Sequence, residues 1–374
     1  MSNQEVGLLT LSGFNQRAVV ALCRYGRGAG VPIHLVTRDA ADPIYLTAYS
    51  DHVLCRRERP QLDADEVCSW IGRLRERHGY RRVLIAPCTE FFNRFILSHR
   101  DEIESVGGTV PLVGPDLYEA VSDKLSFAGM CRHNGIAVPA EFEAPPSRYP
   151  FVAKPIRYAA LDGRQLKPYL IMGASDWKQF EKTESLGDFY FQAYQEGRSI
   201  YLLMYVPAEG PALKFSQENL IQQRAGGSII LSRRHGFHLT PEADRYEAML
   251  RSEGFRGLIM VEVRQREAGV PSVMIEANPR MWGPMQFALD NRIDLFGAMI
   301  RDFTGWEPPA CPVPPPPVDG GYYFWSGGLR PGARPLAFHG YSPAEFLDDF
   351  DGISRCDLFA RDDSRALYQS ELTD

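Results

Sequence analysis

Residues 257–280 read GLIMVEVRQREAGVPSVMIEANPR, with two alternating runs, 257–264 and 271–278, on either side of Glu267-Ala268-Gly269-Val270. A period of two argues for strands, and the short turn between them makes a β-hairpin. If the hairpin closes symmetrically around Gly269, the numbers of opposed residues sum to a constant and Glu262 falls opposite Glu276. Asn278 lies two residues past Glu276 and points to the same side. The other face is then Val261, Val263, Val273 and Ile275, an apolar layer for a core. Like charges directly opposite on a sheet are destabilising unless something positive sits between them. A hard divalent cation held by carboxylate and amide oxygens meets that need. The spacing therefore reads as a metal site made by Glu262, Glu276 and Asn278.

With 374 residues the chain is long enough for two or three domains around a well-buried core. The hydrophobic share of 44% and charged share of 24% are those of soluble globular proteins. A net charge of −6 disfavours a general nucleic-acid or anionic-membrane binder, while leaving room for a local basic cleft. No apolar run reaches the roughly 18 residues of a membrane span. The opening MSNQEVGLLTLSG lacks a basic segment followed by an apolar one and a cleavage site, so the expected location is cytoplasmic. Cysteines at 23, 55, 68, 88, 131, 311 and 356 form no CxxC pair, which suits free thiols in a reducing compartment. His235 and His238 have no partnered ligand pair nearby and read as ordinary histidines.

Residues 1–120 alternate strand and helix: strands at 6–12, 32–37 and 82–87, helices at 14–26, 64–78 and about 91–103. This alternation argues for a parallel sheet. Gly26-Arg27-Gly28-Ala29-Gly30 follows a helix instead of a strand, so it reads as a helix stop and not as a dinucleotide loop. Cys88, Thr89 and Glu90 stand at the carboxyl end of a strand, where open α/β sheets gather their ligands. From Val121 onward the pattern changes. Ser122 and Asp123 cap a helix running to about Asn134, with Gly135 as its stop. Strands follow at 151–155, 167–172, 189–194 and 197–207, with a helix at 175–184. A helix from about 284 to 302 comes after the hairpin, then a proline-rich linker at 307–318. Residues 319–374 are aromatic-rich and too short for an independent core.

Lys154 is the only charge in Phe-Val-Ala-Lys-Pro. A lysine in a short strand either emerges into a cleft or is solvated on an edge strand. Lys124 sits in the first turn of its helix, where the macrodipole disfavours a cation. The order of these features carries more than any one of them: Asp123-Lys124, a lone strand lysine thirty residues on, Gln192-Ala193-Tyr194-Gln195-Glu196-Gly197, Glu262, then Glu276-Ala277-Asn278-Pro279-Arg280. In this order the chain resembles the ATP-grasp superfamily, and more narrowly its carboxylate–amine ligase-like members, over roughly residues 5–305.

The resemblance implies a mixed α/β and α+β protein. A Rossmann-like domain (1–120) would precede an N-terminal lobe (121–190) and a C-terminal lobe (191–306) that clamp ATP between them. It implies that Lys124 and Lys154 contact the ATP phosphates and that the backbone of Ala193, Tyr194 and Gln195 meets the adenine, flanked by Gln192. Glu262 and Glu276 would hold one Mg²⁺ and Glu276 with Asn278 a second, with Mn²⁺ as a substitute. Arg280 would stabilise the transferring phosphoryl group. Small-molecule carboxylate and amine substrates follow, without nucleic acid or membrane, and a homodimer is compatible. An ATP-grasp kinase and a nucleotide-binding protein without turnover are the alternatives, and Glu262, Glu276, Asn278 and Arg280 argue against the second.

The chain departs from the family pattern in three places. The phosphate loop after Lys154 has one glycine, Gly163, which leaves the lid to Arg157 or Arg164. The ribose is usually held by an acidic residue where Ser199 stands, so the choice lies between Glu196 and Ser199. Met260 occupies the place of an arginine, for which Arg224, Arg233 or Arg234 are candidates. Trp282, Gln286 and Asp290 follow at helical spacing after Arg280, near a helix start suited to a carboxylate. Trp282 equally reads as packing between lobes.

Overall fold

The computed structural model describes residues 5–157, 160, 163–224, 226–267, 270–309, 321–330 and 332–373. The first unit is a parallel sheet of β1 (Val6–Leu11), β2 (Ile33–Thr37), β3 (Val53–Arg56), β4 (Arg82–Ile85) and β5 (Gly108–Thr109), in the order β3-β2-β1-β4-β5. β1 is buried along its whole length, as a strand covered by helices on both faces must be. The helix Gln16–Ala29 ends where Gly30 takes φ 65°, so the glycine stretch is a helix stop. The single helix expected at 91–103 is two, Glu90–Ser98 and Arg100–Ser105, broken at His99.

A small antiparallel sheet follows, of β6 (Glu141–Phe142), β7 (Phe151–Pro155), β8 (Tyr169–Ile171) and β9 (Phe189–Ala193), in the order β6-β9-β7-β8. Phe151, Phe189 and Phe191 meet Phe180 of the helix Ala174–Thr183 in its own core. The large sheet contains β10 (Arg198–Val206), β11 (Leu213–Gln223), β12 (Ile229–Arg234), β13 (Gly257–Gln265), β14 (Val273–Asn278), β15 (Tyr322–Phe324) and β16 (Leu336–Phe338). It runs β14-β13-β10-β11-β12-β15, with β16 also pairing β11. One face packs on the helices Lys124–His133 and Pro241–Ser252, through Phe127, Ile200, Leu202, Tyr246 and Val261. The helix bearing Lys124 therefore belongs to the large sheet's core, although the sequence divides the lobes at 190. On the other face Leu203, Tyr205, Phe215 and Met260 share a core with the N-terminal unit.

The long helix expected at 284–302 is likewise two, Met285–Asp290 and Leu295–Thr304, because Arg292 between them takes φ 63°. Most of the proline-rich linker at 307–318 lies outside the described residues. The stretch after it adds β15 and β16 to the large sheet, and Asp363 returns to the N-terminal unit, where it pairs with Arg24 at 2.7 Å. Among the described residues no helix is long and apolar enough to cross a membrane.

Candidate functional site

In the antiparallel pair β13–β14, Glu262 stands opposite Glu276, Val261 opposite Ala277 and Met260 opposite Asn278. Toward the turn the register slips, and Val263 faces Met274 and Arg264 faces Val273. Ile275 is thus an extra residue on β14, a β-bulge. The bulge corrects the expected apolar face. Met274 and Ala277 enter the core beside Val261 and Val263, while Val273 and Ile275 are only half-buried. Gly269 itself lies outside the described residues.

The bulge also frees a backbone carbonyl, and Lys154 uses it. Its Nζ donates to the Ile275 oxygen at 2.7 Å, joining the small sheet to the hairpin. Lys154 is 5% exposed and β7 lies between β9 and β8, so it is not a solvated lysine on an edge strand. Burial, and next the nearby Lys124 charge, bring its pKa down to about 8. Lys124 reaches the same place from the large-sheet side, where its Nζ lies 3.1 Å from Glu276 Oε2. Asp123 caps that helix by accepting from the backbone N–H groups of Leu125 and Ser126, which fixes where Lys124 starts. Burial works against the Lys124 charge, but the Glu276 carboxylate outweighs it and raises its pKa. Burial likewise works against ionised Glu276, yet Lys124 and then Lys154 hold its carboxyl well below the usual range. Asn278 Nδ2 donates to Glu276 Oε1 at 3.1 Å.

Glu262 has a different set of partners. Ser199 Oγ donates to its Oε1 at 2.9 Å, and Arg264 approaches the same oxygen at 3.0 Å. Asn219 Nδ2 donates to Ser199 Oγ, and Gln217 Nε2 to Asn219 Oδ1. Burial pushes the Glu262 carboxyl up, against the pull of Arg264. The supporting chain of Ser199, Asn219, Gln217 and Arg264 was not read as such from sequence. Its signals were the polar run Ser216-Gln217-Glu218-Asn219, buried inside a strand, and the two-residue spacing of Arg264 from Glu262.

The remaining residues are placed as follows. Gln192 and Ala193 end β9, with Gln192 buried, and Tyr194, Gln195 and the exposed Glu196 form the connection to β10. The Ala193 N–H is taken by the Ala140 oxygen, while its carbonyl accepts from Gln195 Nε2 at 3.4 Å. Ser199 is fully buried and both its bonds go to protein groups. Arg280 sits beside Asn278 Oδ1 at 3.4 Å and donates to the Met281 carbonyl. Arg164 pairs with Glu184 and Arg233 with Glu218. Arg224 donates to the Leu336 carbonyl, and Arg234 is exposed. Arg264, not one of these, stands next to Glu262. Trp282 is buried and precedes the short helix Met285–Asp290. Gln286 and Asp290 bond each other, and Arg24 and Arg361 hold them from outside. Met281 N–H donates to Pro87 O and Asn15 bonds both Cys88 O and Met281 O, so the carboxyl end of β4 abuts the hairpin's exit.

The donor set of two carboxylates and one amide suits a hard cation. Among the described residues no group of three or more His, Cys, Asp or Glu side chains gathers as a metal site. Mg²⁺ fits such a sparse set, since it usually keeps water and takes substrate phosphates as further ligands. Lys124, Lys154, Arg264 and Arg280 set four cationic side chains against the two carboxylates. Cations in that excess over carboxylates suit a polyphosphate.

No family model and no curated protein matches the chain. Solved structures do. The biotin carboxylase domain dimer of Hydrogenobacter thermophilus 2-oxoglutarate carboxylase, in complex with MgADP, ADP and bicarbonate, matches with TM-score 0.57 and 14% identity over 80% of this chain and 70% of that one. An N5-carboxyaminoimidazole ribonucleotide synthetase in complex with ADP matches at 0.58, with 13% identity over 84% and 80%. The L-amino acid ligase of Bacillus licheniformis gives 0.54 and 10% over 81% and 75%. At these identities what is common is the fold.

Proposed function

We propose, with the ATP-grasp fold of this chain as the premise, that it is an ATP-dependent carboxylate–amine ligase. In that reaction the γ-phosphoryl group passes to a substrate carboxylate. An amine then attacks the acyl phosphate carbonyl and phosphate leaves, giving an amide, ADP and phosphate. The observation that carries the reading is the meeting at Glu276. It is in register with Glu262 and paired with Lys124, and the Ile275 carbonyl beside it is held by Lys154. Groups suited to a metal and groups suited to phosphates thus converge where the small sheet closes on the large one. ADP in two of the similar structures supports a nucleotide as the ligand.

Glu262, Glu276 and Asn278 would hold Mg²⁺, with Glu276 shared between two ions. Bound there, Mg²⁺ neutralises charge on the phosphate oxygens. Lys124 and Lys154 draw the phosphates in, and Arg280 stabilises charge on the group in transfer. Tyr194 and Gln195 offer backbone groups to the adenine and Ala193 its carbonyl, since the Ala193 N–H is bonded to Ala140, with Gln192 alongside. Glu196 suits the ribose, because Ser199 is engaged by Glu262 and Asn219. The test is an ADP-release screen over small acids and amines, each alone and in pairs. A ligase gives ADP with an acid–amine pair and stays near background with the amine alone. Full turnover with a lone hydroxyl acceptor would instead mark a kinase.

A further inference from the structure

We infer that a second cleft, remote from the hairpin, binds a multivalent phosphate anion. It has a volume of about 650 Å³ and is lined by Arg81, Arg82, Arg100, Arg256, Glu104 and Phe303. Arg81 and Arg82 stand at the amino end of β4, and the carboxyl end of that strand meets the hairpin's exit. Arg256 immediately precedes β13, whose Glu262 lies further along the strand. The cleft therefore sits at the opposite edge of the parallel sheet from the candidate catalytic groups, between the N-terminal unit and the base of the large sheet.

The four arginines differ in how they are held. Arg256 is fixed, with Nε 2.8 Å from Asp302 Oδ2 and its guanidinium over the Phe303 ring at 4.1 Å. Arg100 braces the Leu112 and Val113 carbonyls and lies 3.6 Å from Glu104, yet its buried Nε has no partner. Arg82 makes one long contact, to the Phe303 carbonyl at 3.5 Å. The exposed Arg81 side chain makes no hydrogen bond or ion pair among the described residues. Against four guanidinium charges stand the carboxylates of Glu104 and Asp302, so the cleft is cationic in a chain whose net charge is −6. Two neighbouring arginines with little protein to bind, facing two that are fixed, form a cradle for an anion. The planar fork of a guanidinium matches phosphate oxygens in pairs. The volume is within the roughly 300–1,000 Å³ of small-molecule pockets.

The cleft also borders Gly114 and Leu117, at the start of the helix Pro115–Ser122, which leads directly to Asp123 and Lys124. An anion bound there would tie that helix to both units. This inference does not rest on the ligase reading. The experiment is calorimetric titration of the full chain with pyrophosphate in metal-free buffer at constant ionic strength. Wild type, Arg81→Glu/Arg82→Glu and Lys154→Ala are compared, with circular dichroism to verify the fold of each. Saturable binding that weakens at least tenfold in the Arg81→Glu/Arg82→Glu chain and persists in Lys154→Ala is the expected result. The reverse dependence would place the anion at the hairpin and overturn the inference, as would absence of saturable binding. Glucose 6-phosphate in place of pyrophosphate distinguishes a phosphate ester from free polyphosphate, and either one binding more tightly supports the site. Citrate binding as tightly as both would overturn the assignment to phosphate.

Discussion

At the scale of single residues, Glu276 is the point where two lysines, an amide and a facing carboxylate meet. Replacing it by Gln keeps the shape but removes the charge that Lys124 balances and, on the proposed function, the ligand shared between metals. Glu276→Gln should leave the fold intact by circular dichroism and lower ADP release by a factor on the order of 10²–10³. Near wild-type release at moderate Mg²⁺ would remove Glu276 from the site. Asn278→Ala should be damaging but less so, since an amide oxygen is the weaker ligand. Lys154 is buried with one carbonyl as its hydrogen-bond partner, which leaves two of its ammonium protons for the phosphates proposed above. Lys154→Ala should weaken ATP binding more than AMP binding in calorimetry. Equal losses for both nucleotides would place the lysine away from the terminal phosphates. Most of these side chains were legible from residue type and order. Arg264 was overlooked although it stands two residues past Glu262 on the same strand, the spacing that also sets Asn278 beside Glu276; three arginines elsewhere drew the reading instead.

At the scale of elements, the hairpin was readable because alternation and a short turn fix a register, and Glu262 does face Glu276. The bulge was not, since Ile275 and Met274 are both apolar and only packing decides which of them turns inward. β11 was missed for a related reason. Its sequence LKFSQENLIQQ carries polar residues toward both faces, and the pairings that bury them come from β10 and β12. That polar interior has a use: Ser199 on β10 and Asn219 on β11 face each other and steady Glu262. Ser199→Ala would leave Asn219 Nδ2 short of a partner and Glu262 held by Arg264 alone. Loss of such a supporting bond typically costs about 10-fold or more in metal affinity. The Mg²⁺ concentration for half-maximal ADP release should rise accordingly. An unchanged Mg²⁺ requirement would mean that Ser199 supports the sheet and not the metal.

At the scale of the whole molecule, the C-terminal stretch looks from sequence like an appendage, because its apolar residues are too few for a core. In the fold it shares other cores, adding two strands to the large sheet and returning Asp363 to the N-terminal unit. Arg24 donates twice to Asp363, and Tyr49 once. Burial opposes ionisation of Asp363, but these bonds outweigh it and bring its pKa from 3.8 down to about 2. A carboxyl depressed in the fold contributes stability that is present above its unfolded value and lost as pH falls through the folded one. Here that is roughly 2 kcal/mol, fading between about pH 4 and pH 2. Asp363→Asn should therefore lower the urea midpoint at pH 7 and differ little from wild type near pH 2. A constant gap between the two across that range would show that the charge is not what clasps the segment. The molecule as a whole brings the proposed metal ligands and the proposed phosphate-binding cations together where the small sheet meets the large one, and the central claim is that they make an acyl phosphate. Once an acid–amine pair is found, the acid is supplied with heavy oxygen in its carboxylate and the inorganic phosphate is analysed by mass. The ligase reading requires singly labelled phosphate formed in step with amide and ADP, whereas unlabelled phosphate accompanying the amide, or label recovered in AMP, would contradict it.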